Sequence, residues 1–393
     1  MRPTGHIRQR SPGSWELRYS PGTDAATGKR RILTATVRGD RKAAERELRR
    51  LLRTLDDGSH VDPTRITLRA WFVQWLAAVQ QEVSPKTHER YDELVTNHLI
   101  PALGALPLSK LTPSDIQNAY GKWAVGGRRD GKAGDLSPLT RRYIHVILRS
   151  GLARAVEQQL LARNPADAFK KRLPKVERKQ MVTLTAEESE RLLESIKDTR
   201  IYWPVMLAFA TGMRRGEVLA LRWKNVDLDR GVLRVVQSLE QTRTELRFKD
   251  TKSSQNRAIT LPAFAVRELR RLKHEQAQEL LSLGIRQTGE TLACCRVDGE
   301  PLQPRSVTHQ FDLLCKRIKD LPRVRFHDLR HSHATQLLAD GVHPKVAQER
   351  LGHSTITTTM DLYSHVTETM QADAATRLDA AFQLAKRRLK GQT

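Results

Sequence analysis

The spacing of apolar side chains changes several times along the chain, and each change predicts a different kind of element. Around the turn-forming PGTDAATG, the segments SWELRYS and TGKRRILTATVR alternate apolar and polar residues in the two-residue rhythm of strands. DRKAAERELRRLLRTL follows with helical spacing, capped by Asp40 and carrying Ala43, Leu48, Leu51 and Leu52 on its apolar side. Residues 1–60 are therefore expected to form a three-stranded sheet with one helix. Residues 65–168 read as helices throughout. TLRAWFVQWLAAVQ sets Leu68, Trp71, Phe72, Trp75, Leu76 and Val79 on one stripe, which is expected to be core rather than a platform for stacking bases. LTPSDIQNAYGKW offers Thr112 as a cap, Pro113 at the first helical position and Asp115 in the first turn.

The apolar pattern then lapses. DAFKKRLPKVERKQM is basic, contains a proline and buries little, so residues 169–181 are expected to form an extended linker. Residues 182–393 make a larger, mostly helical domain that opens on a capping box, Thr185 with Glu188 three residues later. Within it GVLRVVQS, TELRFKD and NRAITLP are strand candidates, expected to form a small antiparallel meander. The fold expected overall is mainly α with small β-sheets. At the C-terminus Ala374, Leu378, Ala381, Phe382, Ala385 and Leu389 share a helical stripe that needs something to pack on.

Charge narrows the function. The 393 residues carry a net charge of +24, and the pI is near 10.4, so the chain is drawn to polyanions. Residues 1–60 alone hold 14 Lys and Arg against 7 Asp and Glu, a basic face suited to DNA or, in a blander role, a solvated dimerisation unit. No apolar run is long enough for a membrane span, and the first residues, MRPTGHIRQRSPGSW, lack the apolar core of a signal peptide. Cys294, Cys295 and Cys315 are too few for a disulfide framework and read as buried small hydrophobes in a reducing compartment.

Three stretches carry candidate chemistry. FHDLRHSHATQLL puts His327, Arg330 and His331 on one helical face. That spacing suits a metal helix with Asp328 in the acid position, a phosphate site, or simply a polar helix start, although Arg330 would repel a divalent cation. In LAFATGMRRGEVLALRW the chain turns at Gly212 and restarts with Arg214 and Arg215 beside the backbone N–H groups of a helix start, a ready place for an anion. Glu217 is well spaced to hold Arg214. In DTKSSQNRAITLP, Lys252 occupies a polar hairpin turn, where lysines are usually just solvated.

Taken in order, ATGMRRGEVLAL, TKSSQNRAITLP, HDLRHSHAT and LGHSTITTTMDLYSH resemble the tyrosine recombinases, the phage integrase family. The resemblance is strongest over residues 182–370 and looser over the two preceding regions. It implies an arm-type DNA-binding module at 1–60, a SAM-like core-binding domain at 65–168, and a catalytic domain at 182–393. It places the family's catalytic residues on Arg214, Lys252, His327, Arg330, His353 and the nucleophile Tyr363. His331 and His333 become supporting residues. It implies site-specific strand exchange on double-stranded DNA attachment sites by a homotetramer, through a 3′-phosphotyrosyl intermediate and a Holliday junction, with no metal or other cofactor. It further implies a cytoplasmic setting, with an excisionase and a host DNA-bending protein as candidate accessory partners. The stretch LRWKNVDLD departs from the family, with Asn225 where relatives commonly carry an acid. Two rivals are a type IB topoisomerase, which needs no partner site, and a DNA-binding protein with a decayed site.

Overall fold

The structure is a computed structural model that describes residues 5–23, 30–56, 66–128, 134–169, 172–177, 181–250 and 256–363, together with 375–376, 378–380, 382–383 and 385–386. It comprises two compact units, residues 1–177 and 178–393.

In the first unit, strands β1 (Gly5–Ser11), β2 (Ser14–Thr23) and β3 (Arg30–Arg38) pair antiparallel in that order, and helix α1 (Arg41–Asp56) covers one face. Register decides which face that is. Ile7 lies opposite Leu17, which lies opposite Ala35, while Tyr19 faces Leu33. Together with Ala44, Leu48 and Leu51 they make a small core, and Asp40 caps the helix by accepting the Ala43 N–H at 2.7 Å. Helices α2 (Leu68–Val79), α3 (Pro85–Leu94), α4 (Ile100–Leu103), α5 (Pro113–Val125) and α6 (Pro138–Glu157) follow. The predicted α2 stripe, Leu68 through Val79, is buried in full. Trp71 also donates its indole N–H to the Gly151 carbonyl at 3.0 Å, and Trp75 stacks on Tyr91. Between α3 and α4 the helix widens to a π-turn at Val95–Leu99. Pro101 has no N–H to continue an α-helical ladder, and Ile100 bonds back five residues to Val95 instead.

The second unit contains α7 (Ala186–Ile196), α8 (Tyr202–Thr211), α9 (Arg215–Leu219), β4 (Val226–Asp227), β5 (Val232–Val235), β6 (Gln237–Gln241), β7 (Leu246–Asp250), β8 (Arg257–Thr260), α10 (Ala263–Ser282), α11 (Pro304–Cys315), α12 (Asp328–Ala339), α13 (Pro344–Leu351) and α14 (Ile356–Tyr363). The Thr185–Glu188 capping box forms as its spacing predicts. Met206 and Leu207 of α8 are buried with Leu269, Phe311 and Leu329 in one core, and Leu338, Ala347 and Leu351 join α12 to α13 in a smaller one. The expected meander is instead two sheets. GVLRVVQS breaks at Val236, where two consecutive valines end the two-residue alternation. Its first part pairs with β4 and β8, and its second pairs with β7. The hairpin β6–β7 is thus inserted between two strands that pair directly.

Cys294, Cys295 and Cys315 are free and buried, and burial pushes the Cys295 thiol up to about 11 and that of Cys315 to about 12, so neither is a reactive thiolate. Among the described residues, no helix is long and apolar enough to cross a membrane. Leu378 and Phe382 of the C-terminal stripe are exposed in the single chain, while Ala374, Ala381 and Leu389 lie outside the described residues.

Helix α6 passes so close to α2 that a Cβ on Gly151 would sit 2.6 Å from the Phe72 ring. Gly151→Val should therefore overpack this core and destabilise the chain by about 1–3 kcal/mol. An unchanged urea midpoint would contradict that packing.

Candidate active site

Two helices that each end on a left-handed glycine decide where the candidate residues meet. Gly212 closes α8 at φ +68°, and a Cβ there would lie 2.6 Å from His333 Cδ2 and 2.7 Å from Leu351 Cδ2. Gly352 closes α13 at φ +67°, with Arg257 Nη1 3.0 Å from where a Cβ would stand. Carbonyls at helix C-termini carry partial negative charge and lack partners within their own helix. The guanidiniums supply them. Arg330 donates from Nη1 to the Gly212 carbonyl and from Nη2 to the Leu351 carbonyl, each at 2.7 Å. Arg214 donates from Nη2 to the Gly352 carbonyl at 3.1 Å.

The two arginines differ in exposure. Arg330 is almost wholly buried, and burial, followed by repulsion from Arg214, lowers its pKa to about 9, which still leaves it charged at neutral pH. The Arg214 side chain stays 45% exposed. Arg214 is the residue just before α9, and Glu217, three residues on, turns back to accept its backbone N–H at 2.9 Å and its Nη1 at 2.9 Å. The helix start expected to offer a free anion site is therefore partly occupied by the chain's own carboxylate. Arg215 points elsewhere, donating to the Thr308 hydroxyl on α11.

Glu217 is buried and also receives Arg257, from Nη2 to Oε2 at 2.6 Å and from Nη1 to Oε1 at 3.2 Å. Burial alone would raise the pKa of Glu217, but the hydrogen bonds and charge of Arg257, helped by Arg214, outweigh it and hold the carboxyl below its usual range. Arg257 has its Nε on the Arg350 carbonyl at 2.9 Å. Arg350 binds the Ala210 carbonyl at 3.0 Å, the Thr260 carbonyl at 2.9 Å and His333 Nε2 at 3.1 Å.

Histidines complete the cluster. His353 follows Gly352 and is half-buried, with Nδ1 2.9 Å from the hydroxyl of the fully buried Thr359 on α14. Burial, then the charges of Arg330 and Arg214, lower its pKa to about 4. His327 stands just before α12, its ring edge-on to His331 at 4.9 Å. Lost hydration, His331 and Arg330 also lower its proton affinity, although more than a third of the residue remains open to water, which screens those charges. Both rings are thus neutral around pH 7 and each can accept a proton. Asp328 is taken up locally, accepting from Arg325 N at 2.8 Å, Nη2 at 2.9 Å and Nε at 3.1 Å. No group of three or more His, Cys, Asp or Glu residues is placed to hold a metal ion among the described residues.

Of the six residues predicted from sequence, four are described with their side chains, and the structure gathers them: Arg214 and Arg330 donate to the C-terminal carbonyls of the two glycine-ended helices, with His327 and His353 within reach of their charge. Lys252 lies outside the described residues. Tyr363 is the last residue of α14, and its side chain lies outside them. Sequence reading missed Arg257 and Arg350. Their only signal was a cation inside a strand and another in the last turn of a helix ending on Gly352.

A profile of the phage integrase family matches residues 182–370, and a profile of the phage integrase N-terminal SAM-like domain matches residues 67–124. The chain belongs to the phage integrase family. The ICEBs1 integrase of Bacillus subtilis is 28% identical to it over 391 residues, covering 95% of this chain and 99% of the relative. The XerC-like tyrosine recombinase of Caldanaerobacter subterraneus subsp. tengcongensis is 26% identical over 363 residues, covering 87% of this chain and 90% of the relative. Among solved structures, the Tn1549 transposon integrase in complex with transposon right end DNA shares the fold, with a TM-score of 0.65 at 21% identity over 80% of this chain and 99% of that one. This integrase-family chain is a site-specific DNA recombinase of the tyrosine type.

His333 gives the integrase frame a pH limit. Its ring accepts the Arg350 Nε–H and is held at about 4, chiefly by burial and then by the Arg350 charge. The unfolded chain takes up this proton below about pH 6.5 and the folded chain does not, so stability is present above that pH and lost as pH falls towards 4. Between pH 7 and pH 5 the unfolding free energy should fall by on the order of 1–2 kcal/mol from this residue. His333→Gln should flatten the profile of urea midpoint against pH. An equal slope in the variant would contradict the assignment.

Proposed function

We propose that this integrase cleaves and rejoins DNA through a 3′-phosphotyrosyl intermediate, with Tyr363 as nucleophile and Arg214, Lys252, His327, Arg330 and His353 as the groups that act on the phosphate. The observation that carries this reading is the pair of guanidiniums, Arg214 and Arg330, both tied to the C-terminal carbonyls of α13, with Arg330 also on that of α8, beside two neutral histidines.

The chemistry follows from those groups. A phosphodiester gains negative charge on its non-bridging oxygens as a fifth oxygen approaches phosphorus. Fixed N–H donors on charged guanidiniums stabilise that charge without reorganising when it develops. Arg214 uses one N–H on Glu217 and one on Gly352, and a guanidinium has five, so it keeps donors to offer. As the Tyr363 oxygen forms its bond to phosphorus, its phenolic proton passes to a neutral histidine. His327 is unprotonated near neutral pH and partly exposed, so its ring nitrogen is free to take that proton. His353 donates to or accepts from phosphate through Nε2, depending on which partner holds the proton in its bond to Thr359. The bond from phosphorus to the 5′ oxygen breaks, and Lys252 supplies the proton that the departing oxygen needs. The number of ester bonds is unchanged, so a 5′ hydroxyl from a second strand can reverse the reaction and reseal the backbone without ATP.

Exchange between two sites requires two duplexes, four strand cleavages and hence four protomers. We read the assembly as a homotetramer working through a Holliday junction in the cytoplasm. The exposed Leu378 and Phe382 offer an apolar contact for such an assembly. The basic segment at 1–60 is read as an arm-site binder, and the helical segment at 65–168 as the core-site binder. The linker at 169–181 would run against the DNA backbone.

Tyr363→Phe should abolish covalent protein–DNA adduct on a nicked attachment-site duplex while leaving DNA affinity within about threefold of wild type. Adduct formed by this variant would overturn the nucleophile assignment. Arg330→Ala should lower the rate of adduct formation by about 10²–10³-fold, as measured in a single turnover at saturating DNA.

A further inference from the structure

Arg257 belongs to none of the proposed reacting groups, yet it is one of the most fully engaged side chains in the second unit. It is only 10% exposed, so it has little surface to offer a phosphate. Its Nη1 and Nη2 take one oxygen each of Glu217, and its Nε takes the Arg350 carbonyl. The same carboxylate is the partner of Arg214, which donates to it only once from its side chain. Glu217 therefore divides itself between two guanidiniums. It pairs fork to fork with the buried one and singly with the exposed one.

That division has an electrostatic consequence. A carboxylate has about four acceptor positions, and here four N–H donors fill them: two from Arg257, one from Arg214 Nη1 and one from the Arg214 backbone. Without Arg257, two positions on a buried anion would fall vacant, and the nearest cation able to fill them is Arg214. A bidentate pair with Glu217 would neutralise Arg214 and occupy donors that phosphate needs. We propose that Arg257 is a positioning residue that keeps Arg214 available to the scissile phosphate by saturating Glu217. Arginine suits this position better than lysine, because only a planar fork engages both oxygens at once. Among the three arginines and one carboxylate, Arg257 also preserves a net charge of about two units for the transition state.

This inference rests on Arg214 acting on phosphate, and the experiment separates the two. Arg257→Met fills the buried volume without charge. It should slow single-turnover adduct formation at saturating DNA by about tenfold or more, a loss of about 1.4 kcal/mol in transition-state stabilisation, with DNA affinity nearly unchanged. The distinguishing variant is the double one. Glu217→Gln removes the charge that would capture Arg214, so Arg257→Met with Glu217→Gln should cleave faster than Arg257→Met alone, although Glu217→Gln slows the otherwise intact protein. If Arg257→Met does not unfold cooperatively, Arg257→Lys takes its place, and the same acceleration by Glu217→Gln is expected. A double variant that folds but cleaves no faster than the single one overturns the proposal and assigns Arg257 to the scaffold. Adduct formed by Tyr363→Phe would instead overturn the underlying reading, whatever Arg257 does.

Discussion

Everything at the site depends on binding two like charges close together without letting them neutralise or drift. Arg214 and Arg330 repel each other, and Arg330 has in addition lost its water. What offsets these costs is the pair of helix C-termini, whose last carbonyls are short of donors and carry partial negative charge. Arg330 bridges both, from Gly212 at the end of α8 to Leu351 at the end of α13. The two glycines are therefore structural conditions of the charge arrangement. Each adopts a left-handed conformation, and each lies where a methyl group would collide with a site residue or its support.

The same frame explains why the histidines are neutral. His353, half-buried, and His333, buried, both sit among arginines, and lost hydration and positive charge together disfavour a further positive charge. The positive field of the arginines thus also keeps these rings unprotonated near neutral pH. His353 is linked to α14, the helix that ends at Tyr363, through Thr359. That bond couples the orientation of the His353 ring to the placement of α14, the helix that carries the proposed nucleophile.

Sequence reading succeeded where the determinants are local. The cap at Thr112, the capping box at Thr185 and the apolar stripe of α2 are decided within one or two helical turns, so spacing alone exposes them. Arg214 with Glu217 is another local pair, legible as a spacing of three. Arg257 was not legible, because its partners Glu217 and Arg350 lie 40 and 93 residues away and no local pattern requires a cation there. The strand pairing failed for a related reason. Each strand candidate was visible as an alternating segment, but which strands pair is settled by the tertiary core, and β5 reaches past the β6–β7 hairpin to β8.

Such long-range pairs have a further consequence for the reading of Glu217. In isolation, an arginine and a glutamate three apart suggest a surface ion pair of small value, since solvent screens it and both side chains lose freedom. Burial reverses that judgement. With 3% of its side chain exposed, Glu217 cannot exchange its partners for water, and every guanidinium bound to it is held against the cost of leaving an anion unpaired. The carboxylate thus acts as a fixed point from which the exposed Arg214 is hung. Arg257 sets how firmly it is hung, because each oxygen that Arg257 occupies is one that Arg214 does not. On the proposed reading, the reach of Arg214 is governed from the buried side of the cluster, by a residue with only 10% of its side chain exposed.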